Sequence, residues 1–290
     1  MNGKKLTKLL DILNYSAELL KSNNIKDARL NVELMLCEAL KCDRMRLYLD
    51  FDKPLNTAET GLFKSFLKRR LDHEPLQYIL GKTNFYGYDI LVNPSVLIPR
   101  QETEILAELI INHVRNNVKT DISILEIGTG SGCLTVAIAK ELEKYGKKFG
   151  INSYDISLSA LKTAEQNLKM NNVDNCVRLS QCNFLTLDCI ENNLDYLILN
   201  PPYIPAQDID SLDPEVRKYE PVSALTDGLD GLSFFRKAIE IIKEHKLTTL
   251  FSEIGYAQKE SIENILLSYG INNYKFFKDY NGINRVLQVN

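Results

Sequence analysis

The chain has 290 residues, too many for one minimal domain and enough for two, one of them large. Hydrophobic residues make up 44% and charged residues 25%, the values of a soluble globular protein, and no apolar run reaches the roughly 18 residues of a membrane span. Net charge is −3, and because the first 80 residues carry 14 basic and 11 acidic side chains the remainder is net acidic, which argues against an enzyme that grips duplex nucleic acid.

The segment from Met1 to Leu10 has lysines but no uninterrupted apolar core and no small-residue cleavage site, so no signal peptide is expected. Leu6, Leu9, Leu10, Leu13, Ala17 and Leu20 follow the helical period. Asp27 is placed to cap a second helix with Val32, Met35, Leu36, Ala39 and Leu40 on one face. Asn56-Thr57-Ala58-Glu59 has capping-box spacing ahead of Leu62, Phe63, Phe66 and Leu67. Helices this short need tertiary packing, so a small N-terminal bundle is expected. A Pro/Gly-punctuated stretch from Glu74 to Gly81 then leads to Asn84–Val92, whose aromatic and β-branched residues around a central glycine predict a hairpin.

Beyond it, helix and strand alternate. Helices are expected over Ile105–Val114, Cys133–Tyr145, Ser159–Met170, Leu232–Glu244 and Gln258–Leu267. Strands are expected over Ile122–Ile127, Phe149–Tyr154, Val177–Ser180, Tyr196–Leu199, Thr248–Glu253, Asn273–Lys278 and Arg285–Val289. This is an α/β pattern with a mostly parallel sheet and an antiparallel final pair. The six cysteines, Cys37, Cys42, Cys133, Cys176, Cys182 and Cys189, form no C-x-x-C pair and read as free thiols. His73, His113 and His245 are scattered, and no metal site is expected.

Gly128-Thr129-Gly130-Ser131-Gly132 falls where the first strand of the sheet meets its helix, the end at which open α/β sheets bind ligands. A dinucleotide fingerprint needs another glycine at Cys133, so the loop fits the carboxylate of S-adenosylmethionine better than a pyrophosphate. Asp155, ending the second strand, is placed to accept from ribose hydroxyls, although it also fits a cap for the next helix. Asn183 and Phe184, ending the third, are placed to meet an adenine.

Asn200-Pro201-Pro202-Tyr203 follows the fourth strand directly. The prolines stiffen the loop and donate no N–H, so it offers acceptors. An amide nitrogen is a poor nucleophile because its lone pair is delocalised. The Asn200 side-chain oxygen and the Pro201 carbonyl could each accept one of its N–H groups, while Tyr203 stacks on the flat group. No strong general base is required. The chemistry limits the acceptor to a planar amide or amine nitrogen without choosing among them.

With these segments in hand, the chain resembles the HemK/PrmC family of protein-(glutamine-N5) methyltransferases, which modify the glutamine of the Gly-Gly-Gln motif in peptide chain release factors. The resemblance spans nearly the whole chain: Glu74–Gly81, Val96–Glu104, Gly128–Gly132, Asp155, Asn200–Tyr203, Glu215–Pro221, Asp227–Leu232, Glu253–Tyr256 and Lys278–Tyr280. It implies a seven-stranded Rossmann-like class I methyltransferase domain over 96–290. It also implies a substrate-recognising helical domain over 1–72 and a hairpin linker over 73–95. The family's cofactor positions fall on Gly128, Thr129, Gly130, Ser131, Gly132, Asp155, Phe184 and Asn200. Its catalytic and substrate positions fall on Asn200, Pro201, Pro202 and Tyr203. Asn183 stands where relatives often have Asp, Phe184 where they often have Trp, and Gln101 where Pro is frequent. Arg100 and Thr103 are expected near the cofactor or in a purely structural role. The resemblance implies S-adenosyl-L-methionine as cofactor, release factors as partners, a cytoplasmic location, and no membrane or stable nucleic-acid association. Glutamine methylation of a ribosomal protein, adenine-N6 methylation of nucleic acid, and a non-catalytic cofactor-binding regulator are the alternatives.

Overall fold

The structure, a computed structural model, describes residues 8–187, 190, 193–244 and 249–290; Leu6, Cys189, His245 and Thr248 lie outside them. The chain divides into two units: Met1–Gly81 with Pro214–Tyr219, and Lys82–Asp213 with Glu220–Asn290.

The first unit contains helices α1 (Leu9–Ser22), α2 (Ala28–Leu40), α3 (Arg44–Leu49), α4 (Thr57–Leu71) and α5 (Leu76–Leu80). The periodic positions Leu9, Leu13, Leu20, Val32, Met35 and Leu36 are buried together, whereas Leu10 faces outward. The capping box at α4 forms: Asn56 Oδ1 accepts from Glu59 N at 2.9 Å and Glu59 Oε2 from Asn56 N at 2.8 Å. Asp27 does not cap α2 with its side chain. It sits in the left-handed region at φ 50°, and its main-chain oxygen is taken by Asn31 N at 2.9 Å and Asn31 Nδ2 at 3.0 Å. Asn31 Oδ1 in turn accepts from Arg70 Nε at 2.6 Å. The boundary between the two units falls at Gly81, within residues 73–95. Leu76 and Ile79 of α5 belong to the apolar core of the first unit.

The second unit opens with the expected hairpin, β1 (Lys82–Phe85) and β2 (Tyr88–Leu91). Its sheet contains β3 (Asp121–Ile127), β4 (Lys148–Asp155), β5 (Val177–Gln181), β6 (Tyr196–Leu199), β7 (Thr249–Glu253), β8 (Tyr274–Lys278) and β9 (Asn284–Val289). Their order is β5-β4-β3-β6-β7-β9-β8, parallel throughout except for β9, which pairs antiparallel with both neighbours. Helices α6 (Gln101–Asn116), α7 (Cys133–Lys144), α8 (Leu158–Met170), α9 (Pro214–Tyr219), α10 (Ser233–Glu244) and α11 (Lys259–Ser268) complete the chain. β6 is buried along its whole length, as expected of a central parallel strand with helices on both faces. On one face Leu125, Ile127, Leu197 and Leu199 pack with Phe235, Ile239 and Ile262 of α10 and α11.

Between β6 and α10 the chain enters the first unit as α9, which sequence periodicity did not reveal. Glu215 pairs with the buried Arg70 at 2.6 Å, and the Tyr219 hydroxyl donates to Asp72 O at 2.8 Å. Among the described residues no helix is long and apolar enough to cross a membrane.

Candidate active site

The loops that leave β3, β4, β5 and β6 at their carboxyl ends enclose a cavity of about 290 Å³. Gly128, Thr129, Gly130 and Ser131 line it, with Asp155, Asn183, Phe184, Asn200 and Pro202. Gly128, Gly130 and Gly132 have φ of 79°, 55° and 75°, so the loop turns through a left-handed backbone that side chains disfavour. At Gly132 a Cβ would also stand 3.2 Å from Ala164 Cβ on α8, tighter than ordinary packing.

Asp155 joins two loops. Its Oδ2 accepts from Gly130 N and its Oδ1 from Ser157 N, both at 2.8 Å. Burial raises its pKa, and hydrogen bonds from the main chain of Ser157, Gly130 and Ile156 partly oppose that. Ser157, not Asp155, caps α8 by accepting from Ala160 N. A carboxylate has about four acceptor positions, so one remains for a ligand hydroxyl.

Behind the loop, Glu126 is buried at the end of β3 and accepts from Thr135 and Ser153 hydroxyls, while Thr135 and Ser153 lie 2.8 Å apart. Burial pushes its pKa up to about 7 against those hydrogen bonds. Thr129 Oγ1 is buried on the cavity side of this loop with no hydrogen-bond partner. A buried hydroxyl without a partner is rare, and it marks a place where a polar ligand completes the site.

Phe184 is 3% exposed and stacks on Phe234 with ring centroids 5.9 Å apart, the pair forming an apolar wall. Asn183 caps the short 3-10 turn Phe184–Thr186, its Oδ1 accepting from Leu185 N at 3.1 Å. One of that oxygen's two lone pairs is therefore already committed to the backbone. A glycine turn that lines the cavity, an acid at the next strand end, an unpartnered hydroxyl and an aromatic wall together fit S-adenosyl-L-methionine. Among the described residues no group of three or more His, Cys, Asp or Glu is arranged to hold a metal.

The loop after β6 is held from behind. Asn200 Nδ2 donates to Thr103 Oγ1 at 3.2 Å, and Thr103 Oγ1 donates to Glu253 Oε2 at 2.6 Å. The Tyr203 hydroxyl donates to the other Glu253 oxygen at 3.0 Å. Glu253, at the end of β7, is 1% exposed. Burial raises its pKa, with the bonds from Thr103 and Tyr203 opposing. Burial and the neighbouring Glu253 charge raise that of Tyr203. Tyr203 and the buried Pro201 are absent from the cavity lining, so the structure anchors the Tyr203 hydroxyl and brings Asn200 and Pro202 to the wall. Arg100 lines the cavity and pairs with the buried Glu220 at 2.5 Å. Asp227 accepts from Leu229, Gly231 and Ser233 main-chain N–H groups and so shapes the loop ahead of α10.

Sequence reasoning named the glycines, Asp155, Phe184 and Asn200, but gave no role to Glu126, Glu253 or Phe234. A signal for the two acids was present. Glu126 is the penultimate residue of β3 and Glu253 the last of β7, both at the carboxyl end of a buried strand, as Asp155 ends its own.

Residues 11–81 match the PrmC N-terminal domain family and residues 90–212 the methyltransferase small domain family. The chain is 37% identical to the release factor glutamine methyltransferase of Thermodesulfovibrio yellowstonii, over 98% of this chain and 97% of that one. It is 36% identical to the protein of the same name from Geobacter sulfurreducens, over 95% and 94%. Among solved structures, the catalytic domain of hMettl16 in complex with a 3′UTR hairpin is similar with a TM-score of 0.54. At 16% identity over 80% of this chain and 81% of that one, it shares the fold.

Proposed function

The chain belongs to the family of release factor glutamine methyltransferases, and from that premise we propose that it methylates the side-chain amide nitrogen of the glutamine in the Gly-Gly-Gln motif of peptide chain release factors, with S-adenosyl-L-methionine as donor. The reading is carried by Asn200. It stands on the cofactor cavity wall at the end of β6 and opens an Asn-Pro-Pro-Tyr loop, in a chain related end to end to those enzymes.

When bound, the cofactor supplies an electrophilic methyl group on a sulfonium that is its own leaving group. The glycine turn would lie close against its amino-acid end, and the unpartnered hydroxyl of Thr129 would bond it. Asp155 accepts from the ribose, and Phe184 with Phe234 packs on the adenine. Asn200 Oδ1 accepts one N–H of the substrate amide and the Pro201 carbonyl accepts the other. The two acceptors turn the nitrogen lone pair toward the methyl carbon and stabilise the positive charge that develops on nitrogen. The Tyr203 ring, its hydroxyl tied to Glu253, presents a fixed edge of the substrate slot. The nitrogen sheds its proton after transfer, so a strong base is unnecessary.

The helical unit over residues 1–81 supplies the surface that recognises the body of the release factor. A substrate of the translation apparatus places the enzyme in the cytoplasm. The test is transfer of a labelled methyl group to a release factor and to its Gln→Ala variant.

A further inference from the structure

We propose that Glu253, acting through Thr103, sets which end of the Asn200 side-chain amide faces the substrate; the inference rests on the methyl-transfer reading above, in which Asn200 must present its oxygen.

Donor and acceptor parity at Thr103 decides the orientation. A side-chain amide has an oxygen that accepts and a nitrogen that donates, nearly equal in shape, and a half-turn about the last bond exchanges them. For the proposed chemistry only one orientation works, since an NH₂ group aimed at the substrate amide would meet another donor. Nothing in the Asn-Pro-Pro-Tyr sequence chooses between the two.

Thr103 chooses. Its hydroxyl has one proton. Glu253 Oε2, 2.6 Å away, takes that proton. Toward Asn200, 3.2 Å away, Thr103 is left with lone pairs alone. The end of the amide that meets it is therefore Nδ2, and Oδ1 is the end left uncommitted. The same carboxylate takes the Tyr203 proton on its second oxygen at 3.0 Å, so one buried acid fixes both ends of the loop. Thr103 is itself fixed: it lies in the first turn of α6, 3% exposed, with its N–H on Arg100 O at 3.2 Å. Glu253 and Thr103 are positioning residues, which act on the substrate through Asn200.

Three variants separate this from a merely structural role. Thr103→Val keeps shape and removes the hydroxyl. Thr103→Ser keeps the hydroxyl. Glu253→Gln keeps size but offers an NH₂ to Thr103, which turns the hydroxyl round to donate toward Asn200. With purified release factor as substrate, Thr103→Val is expected to lower kcat about tenfold while the cofactor Kd stays within about twofold of wild type. Thr103→Ser recovers most of the loss. Glu253→Gln lowers kcat similarly, and the double variant Thr103→Val/Glu253→Gln falls little further, because both changes act through one bond. The side-chain amide resonances of Asn200, assigned by their loss in Asn200→Asp, report the bond without any substrate and should shift in Thr103→Val. A wild type that leaves release factors unmethylated defeats the proposed function, while those resonances still decide the relay. Unmoved Asn200 resonances, unchanged kcat in Thr103→Val, or a loss that Thr103→Ser does not recover, overturns the relay.

Discussion

The main-chain oxygen of Tyr203 stands 2.1 Å from the point where a Cβ on Gly231 would lie. Gln258 Nε2 ties the two loops together, donating to Tyr203 O at 2.9 Å and to Gly231 O at 3.1 Å. Gly228, three residues earlier, has a similar φ of +80° but open space around its Cβ position. Gly228→Ala therefore tests backbone strain alone and should cost about 1 kcal/mol. Gly231→Ala adds a clash with main chain that no rotamer relieves, a further ~1–3 kcal/mol, and it displaces the substrate loop. Urea midpoints of the two variants should rank in that order, with kcat reduced only in Gly231→Ala.

The Glu126 carboxyl has a pKa raised by burial from 4.5 to about 7. The folded state thus binds this proton more tightly than the unfolded chain does. Its contribution to stability is fully present below pH 4.5 and is lost as pH rises to about 7, a change on the order of 3 kcal/mol. E126Q has no proton to release there. The stability of E126Q relative to wild type should increase steadily across that window in urea titrations, and a flat difference would contradict the assignment.

Arg70 is 3% exposed and bonds Asn31, the Glu74 carbonyl and Glu215. Arg70→Ala leaves a buried amide oxygen and a carboxylate without their partner, a loss of about 3 kcal/mol. Thermal or urea unfolding should show it, together with faster proteolysis near α9.

Binding and turnover should separate between two residues of the cavity wall. Asn200→Ala removes the proposed acceptor for charge that develops on the substrate nitrogen, so kcat should fall about 100-fold while cofactor affinity changes less. Asp155→Ala removes the proposed ribose acceptor and loosens the glycine loop it holds, so the cofactor Kd should rise at least about tenfold. Isothermal titration and steady-state kinetics on both variants check the pair.

The sheet was readable because its central strands are short apolar runs bounded by turn residues, and both ends of six strands and the carboxyl end of β7 fall within a residue of expectation. The fourth strand matched at both ends, since Asp195 and Pro201 flank an unbroken Tyr196–Leu199 run. Helices α3, α5 and α9 went unseen because five or six residues carry too little periodicity. Helix α9 could not be placed with the first unit, since its partner Arg70 lies 145 residues away. In the site, glycines and prolines announced themselves through backbone geometry. Glu126 and Glu253 did not, because a buried acid at a strand end acquires its meaning from the hydroxyls of Thr135, Ser153, Thr103 and Tyr203, which only folding assembles. Asp27 misled because its backbone lies in the left-handed region, at φ 50°, and not in the extended conformation from which a side chain caps a helix.

The central claim is that the Asn200–Tyr203 loop delivers a methyl group to a protein glutamine. The direct measurement is labelled methyl transfer from S-adenosyl-L-methionine to purified release factor, to its Gln→Ala variant in the Gly-Gly-Gln motif, and to duplex DNA. Label is expected on the unaltered release factor alone. Equal label on the Gln→Ala variant, or label only on the DNA, would contradict the claim.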